Sequence, residues 1–401
     1  MQPARALPVI VGLPDRYDRT AVTRRCGDEL CLVPKEKLDL VNGYVFEVPE
    51  DKFEQFRDLL PAEATLRIDE PIHYIEPGEA EFSQRSAPTG DEAPFIARPD
   101  GLERLHQQGL TGKGVTVAVI DSGLYPHADF EQRIKGFADM TSGRNSAYDP
   151  HGHGTNVSGI LAGHGPHMSG VAPEANLVGV RITNAREAIR GLEWVIANKE
   201  RLGIQVVNMS LGDNPRLPYA KDPFAQATQK AIDAGLVVVV AAGNECRSDV
   251  CPGTISTPGL LPEAITVGAL DDQATPGHED DKMYAFSSHG PTRPDGVHKP
   301  DLVAPGVGVY GPLSPGSELD HSDWPHWREY LSLDGTSQAT PMVAGLAALM
   351  LEANPELTHQ QIKTILMETA DPLAGIDPLA QGAGRLDADE ALARSSRSFP
   401  E

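Results

Sequence analysis

The sequence predicts an α/β protein in which a large domain with an open parallel sheet follows a small α+β module. Three observations predict it. Beyond about residue 95, β-branched runs alternate with helical stretches, the pattern of a parallel sheet layered between helices. Before residue 77 the chain has strands and a helix of its own. Between the two, residues 77–94 carry Pro77, Gly78, Pro88, Gly90 and Pro94 among Glu, Ser, Gln and Asp, the composition of a linker. The expected division is 1–76, 77–94 and 95–395. With 401 residues and 40% apolar content, the chain can bury two cores of unequal size.

In the first module, residues 9–11 and 44–48 read as strands. Residues 52–60 have helical spacing, with Phe53, Phe56, Leu59 and Leu60 on one face, and residues 65–75 return as a strand. In the large domain, residues 115–120 form a continuous β-branched run, as a strand buried on both faces should. Residues 177–182, 205–209, 236–241 and 264–268 are further strands. Residues 157–162, 185–199, 224–234 and 336–353 read as helices.

Composition narrows the function. Lys plus Arg total 34 against 57 Asp plus Glu, a net charge of −23, which argues against nucleic acid or an anionic membrane surface as the main partner. The first 90 residues carry −6 of that charge and the rest −17. The longest apolar stretches, 236–242 and 342–351, are shorter than the roughly 18–20 residues of a membrane span. The N-terminus has no secretory apolar run, which favours the cytoplasm over export. The four cysteines fall in two local pairs, Cys26/Cys31 and Cys246/Cys251. Either pair could close a small disulfide loop, pointing to an oxidising compartment, or all four could be thiols. Location is therefore left undecided.

In an open parallel sheet, ligands bind beyond the carboxyl ends of the strands. The strand at 115–120 runs into Asp121, that at 205–209 into Ser210-Leu211-Gly212, and that at 236–241 into Ala242-Gly243-Asn244. His153 and Ser337 open two helices. Alone, each has an ordinary explanation as a turn residue, cap or surface histidine. Together they place an acid, a base, a hydroxyl and an amide donor at one sheet edge. Such a set suits acyl transfer: a histidine takes the serine proton, a buried carboxylate orients the imidazole, and amide donors stabilise the oxyanion.

At these residues the sequence resembles the subtilisin-like serine proteases. The three blocks are Val119-Ile120-Asp121-Ser122-Gly123, Gly152-His153-Gly154-Thr155-Asn156-Val157-Ser158-Gly159 and Gly335-Thr336-Ser337-Gln338-Ala339-Thr340-Pro341. The order Asp, His, Ser is the subtilisin order, with separations of 32 and 184 residues. The resemblance covers about residues 95–390. It implies a three-layer catalytic domain and an endopeptidase of broad specificity acting on peptides and proteins through an acyl-enzyme. Ser337 is the implied nucleophile, His153 the general base and acid, Asp121 the orienting carboxylate and Asn244 the oxyanion donor. Ser210, Leu211, Gly212, Ala242 and Gly243 are implied to line the cleft. No cofactor is implied for the chemistry.

Residues 1–76 resemble the ferredoxin-like inhibitory prosegments of the same family, chiefly at residues 42–48 and 72–76. That resemblance implies a self-inhibited precursor, with self-cleavage expected between Phe82 and Ala93. Several positions depart from the family. Asn156 directly follows Thr155, and His151 adds a His-x-His whose spacing does not continue into a metal motif. Residues 162–170 make a short loop, so Asp129 is expected to be structural and calcium is left unsupported. Residues 181–194, where an edge strand often pairs with substrate, also look short. Asp213 stands where Gly is frequent, which points to an altered preference. Residues 311–333 look extended and bring Trp324 and Trp327, either as a substrate wall or as pins for a surface loop. Two other readings carry marks of their own: a silent binding protein on this fold should lack a catalytic group, and a metal-dependent hydrolase should show ligand spacing.

Overall fold

The structure, a computed structural model, describes residues 5–14, 16–74, 99, 101–130, 132–247, 251–275, 277–321 and 326–396. The N-terminal module runs β1 (Ala6–Gly12), α1 (Arg19–Leu30), β2 (Pro34–Leu38), β3 (Gly43–Pro49), α2 (Phe53–Leu59) and β4 (Thr65–Ile68). Its antiparallel sheet has the order β2-β3-β1-β4, the ferredoxin-like arrangement. Alternation along the strands splits its apolar residues. Val9, Val11, Phe46 and Val48 pack with Cys26, Leu30 and Phe56 beneath α1 and α2. Ile10 and Val45 face the other way. Helix α1 and strand β2 are not evident in the sequence pattern, because α1 buries only Cys26 and Leu30 among charged residues.

The large domain is built on eight strands. Six parallel ones, β7 (Ile134–Asp139), β8 (Asn176–Arg181), β6 (Thr116–Asp121), β9 (Ile204–Met209), β11 (Val237–Ala241) and β12 (Ile265–Asp271), lie side by side in that order. Strand β12 also pairs with parallel β14 (Leu302–Pro305) and antiparallel β13 (Lys282–Met283). Every residue of β6 and β11 is buried, so odd and even positions serve opposite layers. Val117 and Val119 face α4 (His153–Ala162) and α7 (Thr336–Ala353); Ala118 and Ile120 face α5 (Ala185–Leu202) and α6 (Pro223–Asp233). Each valine or isoleucine so buried contributes about 1.5–3 kcal/mol. Helix α7 is apolar on nearly all sides because it is a buried central helix. Helices α8 (His359–Thr369) and α10 (Ala388–Ser395) close the C-terminus, and a small sheet of β15 (Val309–Pro312), β16 (His326–Trp327) and β17 (Tyr330–Leu333) precedes α7. The sequence does not single out β7 or β14, which are short and partly polar or proline-bounded.

The two units are joined through packing as well as chain. Ile10, Leu38, Val41, Val45 and Ile72 share one apolar cluster with Ala188, Ile189, Leu192 and Phe224 of α5 and α6. The expected strand at 65–75 is two strands. It breaks at Pro71, and β5 (His73–Tyr74) leaves the module to pair antiparallel with β10 (Leu211–Gly212). Ile72 N–H donates to Thr183 C=O at 2.9 Å, and Pro71 bridges Asn184. The short span after Arg181 thus still provides an edge opposite β10. Ion pairs cross the same boundary: Arg67 to Asp213 and Asp222, Arg186 to Asp69, Arg190 to Glu36, and Arg216 to Glu70. Net charge predicts no such attraction, and local pairing supplies it. Cys246 and Cys251 form a disulfide, whereas Cys26 is buried and Cys31 exposed as thiols.

Candidate functional site

Asp121 is the last residue of β6 and His153 the first of α4. Both side chains are fully buried, and Asp121 Oδ1 lies 2.8 Å from His153 Nδ1. Ser122 N–H also donates to that oxygen, at 2.7 Å. One carboxylate is thus fixed from the backbone while it orients the imidazole.

The turn into α4 depends on a residue that the sequence pattern did not single out. Asp149 Oδ1 accepts from Ser122 Oγ and the Gly152 and His151 N–H groups; Oδ2 accepts from Thr155 N–H and Oγ1. These are N-terminal donors of a helix with no partners inside it. An acidic residue shortly before His-Gly-His was the available signal. Gly154 is required by close approach: a Cβ there would lie 2.2 Å from Gly123 O.

Ser337 is the second residue of α7. Its Oγ donates to Ser210 C=O at 3.0 Å, while Ser210 Oγ donates to Ser337 C=O at 2.9 Å. The second bond answers a question posed by Pro341 inside α7. Proline has no N–H for the carbonyl four residues earlier, and that carbonyl is Ser337's. Asn208 Nδ2 in turn donates to Ser210 Oγ at 3.1 Å.

Asn244 follows β11. Its Oδ1 accepts from Thr336 N–H at 3.0 Å and Thr336 Oγ1 at 3.1 Å, which fixes the acceptor end of the amide on the residue before Ser337. Gly243 has φ +114°, a conformation that favours glycine, and its N–H donates to Thr336 Oγ1. Ala242 is tied to Val267 and Ser256 through backbone bonds, and Leu211 and Gly212 carry the strand pairing with β5. Arg247 donates to Asn244 C=O, and the Cys246–Cys251 disulfide closes the same loop.

The cleft beside these groups is filled by the chain itself. The Tyr74 ring centroid lies 4.7 Å from that of His151 and 5.7 Å from that of His153. Its hydroxyl donates to Ile182 C=O. Burial, with the nearby Asp121 charge, pushes its phenol well above the usual range. His151 therefore forms part of an aromatic contact. Asp129 Oδ2 accepts from Tyr330 OH at 2.9 Å. Among the described residues no group of three or more His, Cys, Asp or Glu side chains is placed to hold a metal ion. Trp327 is buried against Tyr330 and His167 as a pin under its loop. Trp324 and the expected cleavage span, 82–93, lie outside the described residues.

The sequence profile of the subtilase family matches residues 112–390. Serine protease AprX of Bacillus subtilis (strain 168) is 43% identical over 302 residues, covering 71% of this chain and 67% of that protein. Subtilisin BL of Lederbergia lenta is 37% identical over 306 residues, covering 73% and 98%. Among solved structures, fervidolysin from Fervidobacterium pennivorans, a keratinolytic enzyme related to subtilisin, superposes with a TM-score of 0.70 at 22% identity. That match covers 98% of this chain and 61% of the other, and it shows a shared fold.

Proposed function

The chain belongs to the subtilase family of serine proteases, and from that premise we propose that it is an endopeptidase made as a self-inhibited precursor. Ser337 attacks the scissile carbonyl, His153 takes the hydroxyl proton and later delivers it to the leaving amine, and Asp121 holds the imidazole and stabilises its charged form. Asn244 donates to the oxyanion. Ser210, Leu211 and Gly212 bind an extended substrate through backbone bonds, with Ala242 and Gly243 flanking its side chains. Backbone recognition depends little on sequence, which favours broad specificity among peptides and proteins. No cofactor enters this chemistry.

The observation that carries the precursor reading is the pairing of β5 with β10, with Tyr74 against His153. Residues 1–76 then act as the intramolecular inhibitor, and residues 77–94 as the linker that joins it to the catalytic domain. An extended chain that keeps the register Gly212–His73, Leu211–Tyr74 would next set residue 75 opposite Ser210, whose carbonyl receives the Ser337 hydroxyl. We therefore place the first cut at Ile75–Glu76, upstream of the 82–93 span that composition suggests.

A fluorophosphonate tests the chemistry. It should label wild type after module removal and leave Ser337→Ala unlabelled; failure to label wild type refutes the serine-protease mechanism. Ser337→Ala should also stay uncut. Mass spectrometry of the N-terminal fragment from wild type decides between the two positions, an end at Ile75 supporting the register and an end between 82 and 93 the composition.

A further inference from the structure

Arg67, on β4 of the N-terminal module, sits in a receptor site belonging to the large domain. Its guanidinium gives one nitrogen to Asp213 Oδ2 and another to Asp222 Oδ2, each at 2.5 Å. All three side chains are more than nine-tenths buried. The carboxylates are fixed from the far side. Asp213 Oδ1 accepts from Asn214 N–H at 2.6 Å. Asp222 is the N-cap of α6, and its Oδ1 accepts from Phe224 N–H at 2.8 Å and Ala225 N–H at 3.3 Å. Each residue thus spends one oxygen on the backbone and aims the other at the guanidinium. The Phe224 ring lies 6.0 Å from the Arg67 carbon between those nitrogens, within cation–π reach. A planar fork suits two separate acceptors in a way that a lysine ammonium does not.

Two carboxylates held this close, by backbone that belongs entirely to the large domain, persist as a pair when the module departs. Asp213 directly follows β10, the strand that pairs with β5 and, in the proposed function, with substrate. We propose that Asp213 and Asp222 form a guanidinium slot that Arg67 fills in the precursor and that an arginine side chain of a docked polypeptide fills in the released enzyme. This rests on the precursor reading above, in which Arg67 itself fills the slot and its departure or removal empties it. It gives the enzyme a second point of recognition on the amino side of the cut, selective for arginine where the strand pairing itself is not.

The slot is testable without catalysis. In full-length Ser337→Ala protein, Arg67→Ala empties the slot while the chain stays whole. A fluorescein-labelled Gly-Arg-Gly peptide should bind this double variant about tenfold or more tighter than it binds Ser337→Ala alone, by fluorescence anisotropy. The citrulline peptide, of the same shape but neutral, should bind no better than background. Adding Asp222→Asn, which keeps an acceptor for the α6 cap, or separately Asp213→Asn, should remove the gain; two variants guard against one that fails to fold, judged by circular dichroism. Equal binding of arginine and citrulline, equal binding with Arg67 in place, or no loss in either Asn variant overturns the proposal. Failure of fluorophosphonate labelling would refute the protease mechanism and leave this result standing, so the two are distinguishable.

Discussion

Raising the pH from about 4 to about 7 should loosen the N-terminal module from the large domain through Asp69. This carboxylate leaves β4 and faces the start of α5, where Oδ1 accepts from Arg186 N–H at 3.0 Å and Oδ2 pairs with Arg186 at 3.3 Å. Arg67 adds further attraction and Glu187 repulsion, and Glu36 shares Arg186. Burial outweighs these contacts and raises the Asp69 pKa from 3.8 to about 6. A raised carboxyl pKa means that the docked state favours the proton. Docking is therefore strongest below the undocked value and weakens as pH rises through the docked one. A shift of about 2 units, at about 1.4 kcal/mol each, gives about 3 kcal/mol, or about 100-fold in affinity. The exposed Cys31 thiol offers a label, whereas Cys26 is buried. With Ser337 blocked by fluorophosphonate after module removal and the labelled module added back, its anisotropy reports its dissociation. The readout is the difference between wild type and Asp69→Asn, so that other titrating pairs cancel. Wild type should lose about 100-fold more affinity than Asp69→Asn across this range. Parallel pH curves, or a wild type that tightens as pH rises, would refute the reasoning.

Four further outcomes concern the site and the cysteines. Asn244→Ala should lower kcat by about 10²–10³, a range itself set on a subtilisin, with little change in KM; an unchanged kcat removes Asn244 from the oxyanion role. Asp149→Ala strands several buried donors at the start of α4 and should destabilise the protein by about 3 kcal/mol or more, read as a lower denaturant midpoint together with slower fluorophosphonate labelling. Thiol titration of denatured, unreduced protein should find two cysteines, and four after reduction. Replacing Cys246 and Cys251 with serine should cost about 2 kcal/mol, the loop-closure value for so short a span, measured by urea unfolding.

The parts of this molecule that the sequence made legible are those where one residue type has one physical reason to be present. Strand β6 is a β-branched run because both its faces are buried, and its end could be read directly as Asp121. Helix α7 was legible from Thr336 to Ala353 for the converse reason, its apolar length. Asp121, His153 and Ser337 were legible because each lies in a glycine-bounded block that resembles one of the subtilisin-like proteases, in the subtilisin order. Other features depend on partners distant in sequence. Asp149 resembles any loop aspartate until Ser122 and Thr155 converge on it. Arg67 lies 146 residues from Asp213 and 155 from Asp222, and its strand pattern shows only a polar position. The break at Pro71 was readable in principle, since proline leaves a strand's hydrogen-bond ladder, but the pairing of β5 with β10 belongs to the assembled fold.

The net charges of the two units, −6 over residues 1–90 and −17 beyond, describe their mutual repulsion and little of their contact. Screening at physiological salt limits exposed charges to about 8 Å, so neighbours decide the sign. At the boundary those neighbours are Arg67 between two aspartates, and Arg190 and Arg216 against Glu36 and Glu70. None of these contacts involves the peptide bond that the proposed reaction would cut. Nor does the apolar contact of Ile10, Val41 and Val45 with α5 and α6. Breaking that bond would leave β5 on β10 and the rest of the interface in place, so cleavage and activation are separable events. Release then needs a perturbation that acts on the interface itself. Ionisation of Asp69 and competition for the Arg67 slot are two such perturbations, and each acts on a contact that the cut leaves intact.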